Sequence, residues 1–282
     1  MYPLPDLFPA DKKPLLMGIV NSTGDSFSEG GLSSPESALK RAFLLLEEGA
    51  DILDMGGEST RPGAPEITPE EEIRRLLPVV TGVLEKKPET VISIDTRHAR
   101  TAEEMLAAGA RIINDVSMLR HDPEMVDVLN KFPESILVLC HSRGVPENMQ
   151  EPRFLDYGTD IVKTVSAELL AAAEASGLRK ERIIFDPGFG FSKTFEQNMI
   201  LMRKADQLVR RLGPVLFGIS RKSFVGMVTR EAEPAERVGG TVAGELHLCR
   251  SGGVVIRTHN VKVLRAALLM QQALQENGEV FP

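Results

Sequence analysis

Residues 91–114, VISIDTRHARTAEEMLAAGARIIN, contain one complete strand-helix-strand unit. Two short, largely apolar runs, residues 91–94 and 111–113, flank a helix that the sequence predicts over residues 98–108. Strands that are apolar throughout are buried on both faces, and strands separated by helices pair in parallel. This stretch therefore predicts a parallel α/β fold.

The same pattern recurs along the whole chain. Each apolar run leads into polar or charged residues. The runs are residues 15–20, 51–55, 91–94, 111–113, 136–139, 182–185, 215–219 and 254–256. Eight such units predict a closed (β/α)8 TIM barrel, in which the active site collects residues from the C-terminal ends of the strands.

Length and composition fit a single domain of this kind. A chain of 282 residues is normal for a TIM barrel, and 42% hydrophobic with 26% charged residues is ordinary for a globular protein. We expect an irregular lead-in over residues 1–14, followed by one barrel domain over residues 15–282. Within the barrel, the pattern predicts one continuous helix over residues 195–212.

The composition argues against several classes of protein. The formal net charge of −7 disfavours nucleic acid or an anionic membrane surface as the main partner. Cys140 and Cys249 form no CxxC motif, so neither a disulfide scaffold nor a cysteine zinc site is expected. The first residues lack the features of a signal peptide, and no apolar stretch is long enough to span a bilayer. We therefore expect a cytoplasmic protein.

Three polar residues follow strands three, four and six. They are Asp95, Asn114 and Asp186. Taken singly, each could be no more than a helix cap or a turn residue. Taken together, they place two carboxylates and an amide around one barrel mouth, where such groups bind the amine and ring N–H edge of a planar heterocycle.

The last two strands lead into cationic residues. Arg221 and Lys222 follow the seventh strand, and Arg257 and His259 follow the eighth. Residues two apart in an extended segment point to the same side, so Arg257 and His259 can grip one anion such as a diphosphate. Surface charge is the alternative, but the apolar runs that lead directly into these residues favour a position at the mouth.

Residues 186–191, DPGFGF, alternate glycine with phenylalanine. Glycine allows close backbone approach and phenylalanine offers a flat apolar surface, which suits a planar ligand. A nucleotide loop is not indicated, because Pro187, Ser192 and Lys193 stand where the phosphate-loop and dinucleotide motifs need glycine.

His141 directly follows a strand and is expected to be a buried, hydrogen-bonded imidazole. No histidine spacing indicates a metal cluster.

At this point the motifs resemble those of the dihydropteroate synthase family, the sulfonamide target of folate synthesis. They occur in the family's order and span about residues 15–260. The matching segments are Asn21 with residues 25–28, and then residues 57–63, 93–96, 113–116, 186–191, 220–222 and 257–259.

The family joins 6-hydroxymethyl-7,8-dihydropterin diphosphate to 4-aminobenzoate and releases diphosphate. Loss of diphosphate leaves a carbocation on the exocyclic methylene, which the arylamine then attacks. No nucleophilic side chain is required, so the protein orients the substrates and stabilises the departing anion. The resemblance implies a transferase in which the catalytic residues are Asp95, Lys222, Arg257 and Glu29.

The resemblance also implies binding roles, a Mg²⁺ ion and a homodimer. The residues that hold the pterin would be Asp95, Asn114, Asp186 and Lys222. The residues that hold the diphosphate would be Asn21, Arg257 and His259, and Asn21 would share the Mg²⁺ with the phosphates. The residues around 4-aminobenzoate would be Phe27, Ser28, Thr60, Arg61, Pro62, Phe191 and Ser223.

The sequence departs from the usual family pattern at several positions. In the first loop, Ser22, Gly24 and Glu29 replace valine, proline and aspartate. Gly24 should loosen that loop, and Glu29 keeps the negative charge on a longer side chain. Cys140 replaces a methionine that often precedes the histidine after the fifth strand, so one wall of the pterin pocket is expected to differ.

Two other functions are compatible with part of these motifs. A pterin-dependent methyltransferase domain would share Asp95 and Asn114 but would not need residues 60–63, 220–222 and 257–259 together. A non-catalytic paralogue would bind pterin without turnover, and the changes at Gly24 and Glu29 keep this alternative open. Release of diphosphate in the presence of both substrates separates the three.

Overall fold

The computed structural model of the chain describes residues 13–21, 34–58, 66–145 and 148–275. Eight parallel strands close into a barrel, in which each strand pairs with the next and the last pairs with the first. The strands are β1 Leu15–Asn21, β2 Ile52–Gly56, β3 Val91–Asp95, β4 Ile112–Asp115, β5 Ile136–Cys140, β6 Ile183–Asp186, β7 Val215–Phe217 and β8 Val254–Thr258. The predicted single-domain (β/α)8 barrel is confirmed.

Helices surround this barrel, and short polar side chains fix where several of them begin. The helices are α1 Pro35–Glu47, α2 Pro69–Lys86, α3 Ala99–Ala107, α4 Met125–Lys131, α5 Pro152–Leu155, α6 Ile161–Ser176, α7 Phe195–Arg203, α8 Ala205–Leu212, α9 Ser223–Thr229, α10 Val238–Cys249 and α11 Val261–Gln275. Ser34, Thr68, Asp160 and Thr194 each accept a hydrogen bond from the backbone N–H three residues later, which satisfies a donor that the helix leaves free.

The inside of the barrel has an apolar floor. It is formed by buried side chains from the N-terminal halves of the strands, namely Leu15, Met17, Ile52, Ile112, Ile136, Val138, Ile184, Leu216 and Val255. Side chains two apart on a strand share a face. The next inward positions on β2, β4, β6 and β8 are therefore Asp54, Asn114, Asp186 and Arg257. The strands thus place a polar layer directly above the apolar floor.

Two elements differ from the sequence-based expectation. Residues 195–212 form α7 and α8 rather than one helix, because Lys204 leaves the helical conformation (φ −108°, ψ 24°). The strand predicted to reach residue 219 ends at Phe217. Ile219 instead belongs to a turn in which its carbonyl accepts a hydrogen bond from the Lys222 N–H at 3.1 Å. This turn aims Lys222 back towards the barrel axis.

Glu245 lies on α10 with none of its surface exposed. Burial raises the pKa of its carboxyl to about 8, and the hydroxyl of Thr258 acts only partly in the opposite direction. A raised pKa means that the folded state holds the proton more tightly than the unfolded state. Its contribution to stability is therefore complete below about pH 4.5 and is lost as the pH rises towards 8.

We expect Glu245→Gln to remove this pH dependence. The free energy of unfolding of the variant, relative to the native protein, should rise by a few kcal/mol between pH 5 and pH 8, since each pKa unit corresponds to about 1.4 kcal/mol. Urea unfolding at both pH values measures this difference. Glu174→Gln, at an exposed position on α6, is the matched control and should show no pH-dependent difference. Identical pH dependence of the two variants would contradict the assignment.

Candidate active site

Arg257 is the centre of a network at the C-terminal mouth of the barrel. Its Nε lies 2.5 Å from Asp54 Oδ2, and its Nη2 lies 2.7 Å from Asp95 Oδ2. Burial acts to lower the pKa of Arg257, but the two carboxylates together outweigh it, so the pKa is raised and the guanidinium keeps its charge. Arg257 therefore connects β8 to both β2 and β3 at the mouth of the barrel.

Asp54 was not among the residues that the sequence singled out. It sits inside the run that forms β2, and its side chain is fully buried. Its other oxygen accepts a hydrogen bond from Ser93 Oγ at 2.6 Å, and Asn114 Nδ2 lies 3.3 Å from Oδ2. Asp54 thus joins the side chains of β3, β4 and β8. Asp54 lies two residues after the inward-facing Ile52, so strand alternation could have identified it as a residue that points into the barrel.

Asn114 presents a free hydrogen-bond acceptor. Its Oδ1 is buried and has no hydrogen-bond partner among the described residues, whereas its Nδ2 faces Asp54. A buried polar atom without a partner costs about 1–3 kcal/mol, so folded proteins seldom keep one without use. An N–H group of a ligand seated in the mouth would satisfy it.

Asp95 lies at the end of β3 with 11% of its side chain exposed. Burial raises the pKa of its carboxyl to about 7, although the nearby Arg257 acts to lower it. The Asp54 carboxylate adds to the increase. Asp95 therefore changes charge near neutral pH, which is a property of groups in binding and catalytic sites.

Asp186 ends β6 and Lys222 follows the neighbouring strand β7, close enough for each charge to act on the other. Burial raises the pKa of Asp186 and lowers that of Lys222, and each charge partly compensates the other. Asp186 Oδ1 accepts a hydrogen bond from the Gly188 N–H at 2.7 Å. Lys222 Nζ donates to the Phe189 carbonyl and lies 4.8 Å from the centroid of the Phe191 ring. The residues predicted from strands six and seven therefore meet around the loop of residues 187–191.

The remaining predicted residues within the described chain lie at the rim of the same mouth. Asn21 ends β1 and is half-buried. His259 follows β8, and its Nδ1 lies 3.0 Å from Ser220 Oγ. Ser223 is the first residue of α9 and is exposed. The other predicted site residues lie outside the described residues, namely Phe27, Ser28, Glu29, Thr60, Arg61 and Pro62.

His141 is the buried imidazole that the sequence predicted, with no exposed surface. Its partners are Glu168 and Lys193, and Lys193 was read from the sequence only as part of a rejected phosphate-loop motif. The ammonium of Lys193 is buried beneath residues 188–191 instead. The sequence of a lysine after a glycine-rich turn does not show whether its ammonium binds a phosphate or is buried against backbone carbonyls.

A separate cavity of about 280 Å³ lies at the opposite end of the barrel. It is bordered by Val91 and Ile136, which begin β3 and β5, and by Leu106 and Phe132. None of the site residues described above contributes to its lining. In TIM barrels the C-terminal face carries the chemistry, so the polar mouth is the candidate active site.

The fold and the site together define a TIM barrel with buried carboxylates, an amide and cations at the C-terminal mouth. The sequence profile of a family described as "Pterin binding enzyme" matches residues 17–259. The chain is 44% identical to the dihydropteroate synthase of Neisseria meningitidis serogroup B, over 94% of each chain. The chain therefore belongs to the pterin-binding enzyme family.

Solved structures of the family have the same architecture. Dihydropteroate synthase of Xanthomonas albilineans with 4-aminobenzoic acid matches with a TM-score of 0.83 and 38% identity, over 94% of each chain. The same enzyme in complex with 7,8-dihydropteroate matches with a TM-score of 0.78 and 34% identity, again over 94% of each chain.

Proposed function

We infer that the protein is a transferase that catalyses the dihydropteroate synthase reaction. It condenses 6-hydroxymethyl-7,8-dihydropterin diphosphate with 4-aminobenzoate to give 7,8-dihydropteroate and diphosphate. The observation that carries this function is the convergence of Asp95, Asn114, Asp186, Lys222 and Arg257 at one mouth of the barrel. These side chains provide acceptors for a heterocycle and a cation for its leaving group.

The pterin is proposed to bind in the polar layer above the apolar floor. The Asn114 Oδ1 without a partner and the Asp186 carboxylate would accept hydrogen bonds from the pterin N–H and amine groups. Lys222, close to Asp186, would donate to a ring nitrogen or to the carbonyl. Because strands fix Asn114 and Asp186, and a hydrogen-bonded turn fixes Lys222, the pterin would be oriented without rearrangement of the barrel.

The diphosphate is proposed to leave towards Arg257, His259 and Asn21. A guanidinium has five N–H donors, and the two ion pairs of Arg257 use Nε and Nη2, so further donors are available to a phosphate oxygen. A cation fixed before the reaction stabilises the charge that develops on the departing group without reorganisation. The Asp54 and Asp95 carboxylates, which Arg257 holds at the mouth, would keep negative charge close to the carbocation.

The aminobenzoate is proposed to lie against the loop of residues 187–191. Phe191 is half-buried there and has the Lys222 ammonium near its ring face. Its ring would line the arylamine, and the exposed Ser223 hydroxyl would receive the carboxylate. The proposed contributions of Phe27, Ser28, Thr60, Arg61 and Pro62, and of Glu29 to catalysis, concern residues outside those that the structure describes.

A Mg²⁺ ion fits this site only as a partner of the diphosphate. Within the described residues, no group of three or more His, Cys, Asp or Glu side chains could hold a metal by itself. Asn21 offers one amide oxygen at the rim, and Mg²⁺ commonly binds through one or two protein oxygens together with substrate phosphates and water. We propose that Asn21 is its protein ligand, and that the ion neutralises diphosphate charge when bound.

Several properties of the whole protein are also proposed. Residues 15–282 are taken as the functional barrel after the lead-in of residues 1–14, in agreement with a first strand that begins at Leu15. A homodimer is proposed from the family resemblance. A cytoplasmic location is supported by two cysteines that are both free. Within the described residues, no helix combines the length and apolar character needed to cross a membrane.

The direct test of this function is an assay with both substrates. Diphosphate release is followed by a coupled reaction, and 7,8-dihydropteroate is identified by mass spectrometry. We expect one diphosphate for each dihydropteroate when both substrates are present, with no dihydropteroate formed when 4-aminobenzoate is omitted. Pterin binding without turnover would indicate the non-catalytic paralogue, and methyl transfer would indicate the methyltransferase alternative.

Binding of the pterin should depend on pH through Asp95. Because burial raises the pKa of this carboxyl to about 7, the acceptor form becomes dominant only above that pH. We expect the affinity for 6-hydroxymethyl-7,8-dihydropterin, which carries no phosphate, to increase between pH 6 and pH 8. The increase approaches tenfold per pH unit below the pKa. Isothermal titration calorimetry across this range measures it.

The control for this pH dependence is Asp95→Asn. An amide does not titrate, so the variant should bind the dihydropterin weakly and with little change between pH 6 and pH 8. An affinity of the native protein that decreases over this range would contradict the assignment. So would an increase that is unchanged in the variant, because another group would then be responsible.

A further inference from the structure

A chain of buried polar groups lies behind the loop that carries Phe191. Lys193 is only 3% exposed and His141 has no exposed surface. Lys193 Nζ lies 3.0 Å from the Gly188 carbonyl oxygen, 3.0 Å from the Phe191 carbonyl oxygen and 3.1 Å from His141 Nδ1. Burial lowers the pKa of Lys193 to about 7, and in the ammonium form its three N–H donors match these three partners. In this form Lys193 holds the loop of residues 187–191 in place and has no donor left for a substrate. We call these three contacts of Lys193 the clamp.

The contacts of His141 fix its tautomer. Burial acts to raise the pKa of Glu168, but its hydrogen bonds with His141 and Arg143 outweigh burial and lower it to about 2, so its carboxylate can only accept. The ring proton of His141 must therefore be on Nε2, and Nδ1 accepts from Lys193. Nε2 lies 3.0 Å from Glu168 Oε2, and Glu168 also forms an ion pair with Arg143. Burial and the neighbouring Lys193 lower the pKa of His141 to about 3, which keeps the ring neutral. Glu168 thus orients His141, and His141 in turn orients Lys193.

The loop itself needs such support. Gly188, Gly190 and Ser192 all have positive φ, at 66°, 78° and 43°. A left-handed serine is strained, and such conformations persist when surrounding contacts fix them. Here the Ser192 carbonyl accepts from Tyr157 Oη at 2.9 Å, in addition to the two carbonyls held by Lys193. The substrate-facing Lys222 binds the Phe189 carbonyl from the other side.

We propose that Lys193, oriented by His141 and Glu168, is a positioning residue that sets the aminobenzoate-binding wall. It fixes Gly188 and Phe191 at the two ends of the loop and so places the Phe191 ring. The inference rests on the proposed function, because that function assigns the ring to the arylamine. Asp186 and Asn114 are fixed by β6 and β4. The loop reaches the pterin layer only through the Gly188 N–H bond to Asp186, the Lys222 contact with Phe189 and the charge of Lys193 near Asp186, so we expect a smaller effect there.

The first test is Lys193→Met, which keeps most of the length of the side chain and removes its donors. We expect KM for 4-aminobenzoate to rise at least tenfold, while the dihydropterin Kd changes less than twofold. Lys163→Met, on the exposed face of α6, is the control and should change neither. An unchanged KM in a folded variant overturns the proposal, and so does an equal loss of both affinities.

A second pair of variants tests the outer end of the chain. Glu168→Gln keeps an acceptor for His141 Nε2 and should leave KM for 4-aminobenzoate within about threefold of the native value. Glu168→Ala removes this acceptor and should raise KM at least fivefold with little effect on the dihydropterin Kd. Equal KM values for the two variants overturn the role of Glu168.

The tautomer can be measured in the unmodified protein even if Lys193→Met does not fold. Long-range ¹H–¹⁵N spectra should show one histidine that stays in the neutral Nε2–H form between pH 6 and pH 8, and its signal should vanish in His141→Gln. A protonated or Nδ1–H His141 overturns the proposal. This result is independent of turnover, so failure of the clamp and failure of the proposed reaction remain distinguishable.

Discussion

Replacing Arg257 with methionine is expected to lower kcat by roughly 10²–10³-fold, because one preorganised donor to a developing anion contributes about that much. The dihydropterin Kd, measured without diphosphate, should change much less. The variant should also lose about 3–5 kcal/mol of unfolding free energy, since Asp54 would remain fully buried without its partner. Steady-state kinetics, calorimetry and urea unfolding measure the three quantities.

Two further variants separate catalysis from stability. In the double variant Asp54→Asn/Arg257→Met the buried charge is removed together with its partner, so part of the stability should return while turnover stays low. Arg74→Met breaks an ion pair with the same 2.7 Å distance to a carboxylate as the Arg257–Asp95 pair, but with 72% of the arginine exposed. It should cost less than about 1 kcal/mol and leave kcat unchanged. Recovery of turnover in the double variant would contradict the role of Arg257.

Replacing Asp186 with asparagine is expected to weaken dihydropterin binding by roughly 10²–10³-fold. The amide oxygen can still accept the hydrogen bond from the Gly188 N–H, so the loop should keep its conformation. The carboxylate charge close to Lys222 would be lost, together with charge-assisted acceptors for the pterin, each contributing about 1.5–3 kcal/mol. Calorimetric titration with 6-hydroxymethyl-7,8-dihydropterin gives the loss directly.

Asp115→Asn provides a matched control for this substitution. Asp115 is also a buried aspartate at the end of a strand, and its Oδ1 likewise accepts a hydrogen bond from the N–H two residues later, that of Ser117. Because it follows the inward-facing Asn114 on β4, its side chain points to the other face of the strand. An asparagine keeps that bond, so the dihydropterin Kd should change less than threefold. Equal losses for the two variants would show that Asp186 acts through general destabilisation, and the pterin assignment would be wrong.

The eight strands could be predicted because each is an apolar run with a polar end, and a parallel barrel buries both faces of every strand. The same feature located Asp95, Asn114, Asp186, Lys222 and Arg257, since residues at the C-terminal ends of parallel strands converge on one mouth. Local pattern was sufficient for Asp95, Asn114, Asp186 and Arg257 because the strand itself fixes the direction of the side chain, whereas Lys222 is placed by the turn after β7.

Pairing across the barrel could not be predicted in this way. Asp54 sits within an apolar run, and only the closed sheet brings it to Arg257, 203 residues away. Lys193 was ambiguous because a lysine after a glycine-rich turn can face either phosphate or backbone carbonyls. The break at Lys204 likewise has no composition signal, since neither glycine nor proline occurs there. Each of these features depends on tertiary contacts rather than on local sequence.

The central claim is that one polar layer at the barrel mouth binds the pterin. A crystal structure of the protein with 6-hydroxymethyl-7,8-dihydropterin tests it most directly. We expect the bicyclic ring above the apolar floor, within hydrogen-bonding distance of Asn114 Oδ1, the Asp186 carboxylate and Lys222 Nζ. A ring bound at the opposite end of the barrel, or one that leaves Asn114 and Asp186 without contact, would contradict the account.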